Sequence, residues 1–305
     1  MSSENNLFSE ISSLSTEQIN PLSKNIDSLP ALDILKIINE EDKSVAFAVE
    51  KEISHIAKAV EAVVNSFTRN GRLLYFGAGT SGRLGVVDAS ECPPTFGTDP
   101  EMVQGFIAGG KEAMFRAQEG AEDFEENGAD DVLRINVTKN DVVCGIAASN
   151  RTPYVLGAIK KAKSIGAATI FLSCSPRSSF SFKEADIIIC PEVGPEVIMG
   201  STRLKSGTSQ KMVLNMITTT SMVLLGKTYE NMMIDLQLTN KKLVERAKRI
   251  IMLITGCNYA KAAEYLELSG GHVKTAIVMI SANTDKDTAQ LMIKNAGGFV
   301  RKALS

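Results

Sequence analysis

Apolar residues in this chain follow two spacings, and the changes between them mark out its parts. After residue 68, short unbroken apolar runs recur at 73–76, 105–108, 142–147, 169–173 and 186–190. Runs of that kind predict strands buried on both faces. Between them, helical spacing predicts helices over 82–91, 112–126 and 153–165, and a long helix over about 205–226 closes the series. Strand and helix alternating five times predict an α/β fold, a doubly wound parallel five-stranded sheet with helices on both faces. Ahead of it, helices are predicted over 30–41 and 43–68, with Val45, Phe47, Ala48, Ile53, Ile56, Ala57, Val60 and Val63 at helical spacing in the second. Residues 1–25, rich in Ser, Asn and Glu, read as a flexible arm. From about residue 240 only helices are predicted, over 240–254, 258–268, 271–281 and 284–296, with glycines between them. The chain is thus expected to divide into an arm (1–25), an α/β domain (26–239) and a small all-helical subdomain (240–305).

Composition narrows the partners. A net charge of −2 over 305 residues gives no reason to expect nucleic acid or an anionic membrane. Small phosphorylated ligands stay open, because they need local donors and not global charge. The cysteines (Cys92, Cys144, Cys174, Cys190 and Cys257) include no C-x-x-C pair, so buried free thiols are expected. With no secretory leader pattern and no apolar run approaching 18 residues, a cytoplasmic protein is expected. His55 and His272 are the only histidines, and neither is near a glycine-rich turn. A Ser-His-Asp triad or a multi-histidine metal site is therefore hard to build, and catalysis should rest on carboxylates, hydroxyls or lysine.

The stretch GAGTSGRLGVVDASECPPTFG (77–97) carries the first chemical signal. Gly77, Gly79 and Gly82 fit G-x-G-x-x-G, the turn of a dinucleotide site. Such a site ends its second strand in an acid that grips the ribose. Here that strand runs into Gly109 and Gly110 instead, while Asp88 and Glu91 fall in the preceding helix. A phosphate fits better. Gly79 lets a ligand approach the backbone, Thr80 and Ser81 add hydroxyls, and the helix start adds partial positive charge. A second turn repeats this at AASNRTPY, with Ser149, Asn150 and Thr152 ahead of Pro153. Each hydroxyl alone could simply cap a helix; two such turns in one sheet point to a ligand.

The runs GAGTSGRLGVVDASECPPTFG, IAGG, QEGAED, GIAASNRTPYV and GSTRLKSGTSQKMVLNM, in this order, resemble the N-acetylmuramic acid 6-phosphate etherase family. That family belongs to the sugar isomerase (SIS) superfamily of phosphosugar-binding domains, in its glucokinase-regulator-like branch. The resemblance covers about residue 20 to the C-terminus. It departs at Asn150, where the family usually carries glycine; Asn tolerates positive φ, so the turn is expected to survive.

The resemblance implies a SIS fold, a homodimer, and cleavage of the D-lactyl ether at carbon 3 of N-acetylmuramic acid 6-phosphate in cell-wall amino sugar catabolism. A simple ether resists hydrolysis, but the open-chain aldehyde acidifies the carbon-2 proton, so lactate can leave by elimination and water can add back. That needs one acid and one base with separated pKa values, and no metal or organic cofactor. By resemblance Glu91 is the acid that protonates departing lactate and Glu122 the base at carbon 2; Glu119 and Asp123 are the neighbours most easily confused with Glu122. Glu196 matches an acidic position used for ring opening or proton transfer in related isomerases. Ser201, Thr202, Arg203 and Lys205 are candidates to meet phosphate or the lactate carboxylate. The segment GCNYAKAAEYLELSGGHVKTAIVMI resembles a ubiquitin-associated-like helical unit in which His272 caps or packs. Two other activities fit the same fold, a non-catalytic sugar-phosphate sensor and an aldose–ketose isomerase.

Overall fold

A computed structural model, which describes residues 14–180, 182–238 and 240–305, turns the five apolar runs into strands. These are β1 (Leu73–Gly77), β2 (Val103–Ile107), β3 (Val142–Ala147), β4 (Ala168–Ser173) and β5 (Ile187–Ile189). All pair in parallel in the order β2-β1-β3-β4-β5. Every residue of β1 and β3 is buried, which is why their sequences run apolar without alternation. One face of the sheet presents Leu74, Phe76, Val143 and Phe171 to α4 (Glu125–Arg134) and α5 (Pro153–Ile165). The opposite face carries Leu73, Tyr75, Cys144 and Leu172, fully buried. Side chains of this size contribute about 1.5–3 kcal/mol each when buried.

Two helices precede the sheet, α1 (Ala31–Glu50) and α2 (Ile53–Phe67). The break falls at Lys51 and Glu52, not at residue 42. The acidic stretch around 40–42 stays helical, with Lys43 pairing with Glu40 within one turn. Glu52 marks the true break through tertiary bonds: its carboxylate accepts Cys190 N at 2.9 Å and Arg177 Nη2 at 2.7 Å.

The predicted helix over 112–126 is a correction of larger consequence. Only a 3-10 turn (Lys111–Met114) forms there, followed by a loop, and the α-helix begins at Glu125. Gly110 and Gly120 take φ of 69° and 74°, outside helical space. Arg83, on α3 (Gly79–Phe96), holds the turn from outside by donating to Ala113 O (2.7 Å) and Met114 O (3.1 Å). Glu122 therefore stands on a loop.

Residues 14–28, within or just after the expected flexible arm, form three 3-10 turns pinned to the sheet unit. Asn20 donates to Glu41 Oε2 (2.7 Å) and Pro195 O (3.2 Å), and Ser23 Oγ donates to Val197 O (2.7 Å). Residues 1–13 of that arm lie outside the described residues.

The chain forms two compact units. One holds the described residues up to Ala89 together with Glu101–Ile217; the other holds Ser90–Pro100 and Thr218–Ser305. The division near 217 lies within α6 (Lys205–Leu224), ahead of the change of pattern at 240. In the second unit a short hairpin that the apolar pattern did not reveal, β6 (Thr228–Tyr229) with β7 (Met232–Met233), precedes α7 (Lys241–Thr255), α8 (Tyr259–Leu268), α9 (Val273–Ala282), α10 (Lys286–Asn295) and α11 (Val300–Ala303). Asn240, Asn258 and Asp285 each accept a first-turn amide at 2.9 Å, so these starts were set by local capping chemistry. Leu236, Ile251, Leu266, Ile277 and Val300 fill the core of this unit. His272 stands exposed at the start of α9 and its side chain makes no cap bond.

Candidate active site

The strand order reverses direction between β1 and β3, and open parallel sheets bind ligands outside the carboxyl ends of the strands at such a point. Both predicted turns leave the sheet there. At the first, close packing dictates the glycines. A Cβ on Gly77 would stand 2.6 Å from Gly82 N, and one on Gly82 would stand 2.6 Å from Ile107 Cγ1. Gly79 has φ of 51° and open space where its Cβ would point, so the start of α3 lies bare toward the cleft. Opening amides of a helix lack acceptors within it and carry partial positive charge.

At the second turn, Thr152 occupies the helix-cap position of α5 but its hydroxyl makes no cap bond. Ser149 Oγ accepts Arg151 N at a long 3.4 Å. Both hydroxyls face a cleft of about 320 Å³, which Gly79, Thr80, Ser81 and Glu122 also line. Ser81 is buried, with its hydroxyl 2.9 Å from the side-chain oxygen of Gln210.

Glu122 is held at this cleft by a backbone bond. Its carbonyl accepts Tyr154 N at 3.0 Å, which ties the 115–124 loop to the start of α5 beside the second turn. A second hollow of about 200 Å³ shares Ala78, Gly79 and Glu122 with the first. Glu119 lines only this second hollow, and Asp123 lines neither. Loss of surrounding water, then the charges of Asp123 and Glu119, raise the Glu122 carboxyl above its ordinary value. A carboxylate so placed is a better base than a free one near neutral pH.

Glu91 belongs to the second unit. It is exposed on the closing turns of α3, just ahead of Cys92, Pro93 and Pro94. Gly97 ends that stretch at φ of 60°, where a Cβ would stand 2.2 Å from Asp235 O, so this corner admits only glycine.

Other expected residues point elsewhere. Glu196 is fully buried, and its carboxylate accepts Lys205 N, Ser206 N and Ser206 Oγ at 2.8–2.9 Å. It caps α6 and does not line the cleft. Lys205 is buried in an ion pair with Glu41. Ser201 stays outside the cleft wall while its neighbours Gly200 and Thr202 form part of it, and Arg203 is exposed. Asn150 donates its amide to Ser179 O (2.8 Å) and Ser179 Oγ (3.2 Å). Nor does the turn need positive φ at Asn150: among the described residues other than glycine, that conformation occurs at Asn70, Asn136, Glu230 and Asn283. Asn is accommodated at position 150 because its side chain turns out of the cleft.

Three features escaped the sequence reading. Gln210 backs Ser81 from α6; a polar residue at core spacing beside Val213 and Leu214 was the available signal. Gly200 opens the run GSTRLKSGTSQKMVLNM, but nothing local marked it as part of a cleft wall. Leu14, Thr16 and Glu17 also line the cleft, from a segment whose composition suggested a free arm. A larger hollow of about 710 Å³, along edge strand β2, contains none of the expected site residues.

Residues 55–163 match the family model described as the glucokinase regulatory protein N-terminal SIS domain, and residues 110–220 match that described as the SIS domain. With the parallel sheet and the cleft at its switch point, these matches define the class: this is a SIS-domain protein. A relative in Salinibacter ruber (strain DSM 13855 / M31), named N-acetylmuramic acid 6-phosphate etherase, is 57% identical over 100% of this chain and 98% of its own. Relatives of the same name in Rhizobium rhizogenes (strain K84 / ATCC BAA-868), 54% identical over 99% and 98%, and Clostridium beijerinckii (strain ATCC 51743 / NCIMB 8052), 53% over 96% and 96%, match as fully. The chain belongs to the N-acetylmuramic acid 6-phosphate etherase family.

Proposed function

We propose that this protein cleaves the D-lactyl ether of N-acetylmuramic acid 6-phosphate, giving N-acetylglucosamine 6-phosphate and D-lactate as a carbon–oxygen lyase. The observation that carries the reading is Glu122, a carboxylate of raised pKa at the rim of a hydroxyl-lined cleft, in a chain matched along its whole length by etherases. The phosphate sits against the start of α3 and the hydroxyls of Thr80, Ser81, Ser149 and Thr152. Glu122 takes the carbon-2 proton of the open-chain aldehyde. The electron pair left at carbon 2 forms the carbon 2–carbon 3 double bond as the bond from carbon 3 to the lactyl oxygen breaks. Glu91 gives its proton to that oxygen. Water then adds at carbon 3 and a proton returns to carbon 2. The working form is a homodimer in the cytoplasm.

The test is release of D-lactate from N-acetylmuramic acid 6-phosphate, with deuterium uptake at carbon 2 followed by proton NMR. Glu91→Gln should still exchange carbon 2 while releasing little lactate; Glu122→Gln should lose both. Positioned acids and bases contribute about 100- to 10,000-fold, so both losses are measurable. Oxygen from labelled water should appear in the sugar. Label in lactate would refute elimination, binding without lactate would favour a sensor, and a ketose product would favour an isomerase.

A further inference from the structure

Besides Glu122, the cleft is lined by a second carboxylate, Glu17, that neither holds a phosphate nor serves the two-carboxylate chemistry. Glu17 enters it from the 3-10 turn Ser15–Glu17, close to Thr16, Thr202 and Gly200. The segment carrying it is anchored: Gly200 N donates to Thr16 O at 3.0 Å, and Asn20 and Ser23 are bonded and buried a few residues on. The carboxylate itself lies against Gly200, where a Cβ would come within 3.1 Å of Glu17 Oε2. Gly200, at φ of 76°, leaves room for it. Glu17 is half-buried, and among the described residues its carboxylate has no hydrogen bond and no ion pair.

Half-buried, this carboxylate is left to water until a ligand in the cleft replaces that water with donors of its own. A carboxylate only accepts hydrogen bonds, so it cannot hold the phosphate. The groups that satisfy it are the hydroxyl and amide N–H donors of an amino sugar whose phosphate is already seated. We propose that Glu17 is a sugar-binding residue, accepting an O–H or N–H of an amino-sugar phosphate, and that the segment around it is a wall of the site. This rests on the phosphosugar reading above. It further implies that Glu17 selects against ligands that are phosphate alone, through like-charge repulsion.

Calorimetric titration of the full chain with N-acetylglucosamine 6-phosphate and with inorganic phosphate tests it. Hydrogen bonds to charged groups are lost at a cost of roughly 10- to 100-fold in affinity. Glu17→Ala should weaken the sugar phosphate by about that factor while inorganic phosphate binds unchanged or more tightly. Glu17→Gln, which keeps an acceptor oxygen, should recover part of the loss. Parallel weakening of both ligands would make the residue a scaffold for the cradle, and no change in either would remove it from the site; both overturn the assignment alone. Wild-type protein that takes phosphate but not the sugar phosphate would sink the phosphosugar reading and this assignment with it.

Discussion

Glu122 shows how a single side chain acquires chemistry from its surroundings. Its raised pKa comes first from lost hydration and then from Asp123 and Glu119, neither of which lines the main cleft with it. The proposed base must be ionised to act, so with Glu122 in that role turnover should rise with pH through its value, above the ordinary 4.5. Asp123→Asn removes one like charge and should move the acidic limb of the kcat/KM profile to lower pH. An unmoved limb would mean that another group controls it. Ser81 and Gln210 form a second such pair. Gln210 Nε2 is buried with no partner among the described residues. Ser81 Oγ donates to Gln210 Oε1 at 2.9 Å, so its proton must leave that bond before it can serve a ligand.

Among elements, α6 depends on its cap. Opening amides of this helix point at the buried Glu196 carboxylate, which takes three donors within 2.9 Å. Glu196→Gln keeps the shape but replaces one acceptor with an N–H facing other donors. The expected cost is about 1–3 kcal/mol of stability, read by chemical denaturation, with KM unchanged in the folded protein. A KM that rises with stability intact would return Glu196 to the substrate. Strands β1 and β3 are clamped at the end away from the cleft. Asp141, just before β3, accepts Arg72 N, Nε and Nη2 as well as Thr138 N, all within 3.1 Å. Burial raises its pKa, but these bonds outweigh it and leave the carboxyl below its ordinary 3.8. Its stabilisation is present above that value and is lost as pH falls through the lower one in the folded state.

At the scale of the molecule, the proposed homodimer can draw on the surface that α1 and α2 leave uncovered. Leu32, Leu35, Phe47 and Ile53 are exposed on these helices. Light scattering should give twice the monomer mass, and Phe47→Asp should shift it toward monomer. A monomeric wild type with full activity would refute the dimer. Among the described residues, no helix is long and apolar enough to cross a membrane.

The sequence by itself determined the sheet, because a parallel strand is buried on both faces and must be written as an apolar run. It determined both turns, because glycine geometry and hydroxyl chemistry are local properties, and the helix starts at Asn240, Asn258 and Asp285 for the same reason. Only the tertiary structure decided where the acids and polar groups point. Glu122 left its expected helix because Arg83 and two glycines hold its surroundings in a turn and loop. Glu196 became a cap, and Asn150 turned to Ser179. Gln210 reached Ser81 across 129 residues, and Thr16 brought Glu17 to Gly200. A polar side chain has several partners of similar strength open to it, and the choice falls to whichever group folding brings near, which no spacing along the chain records.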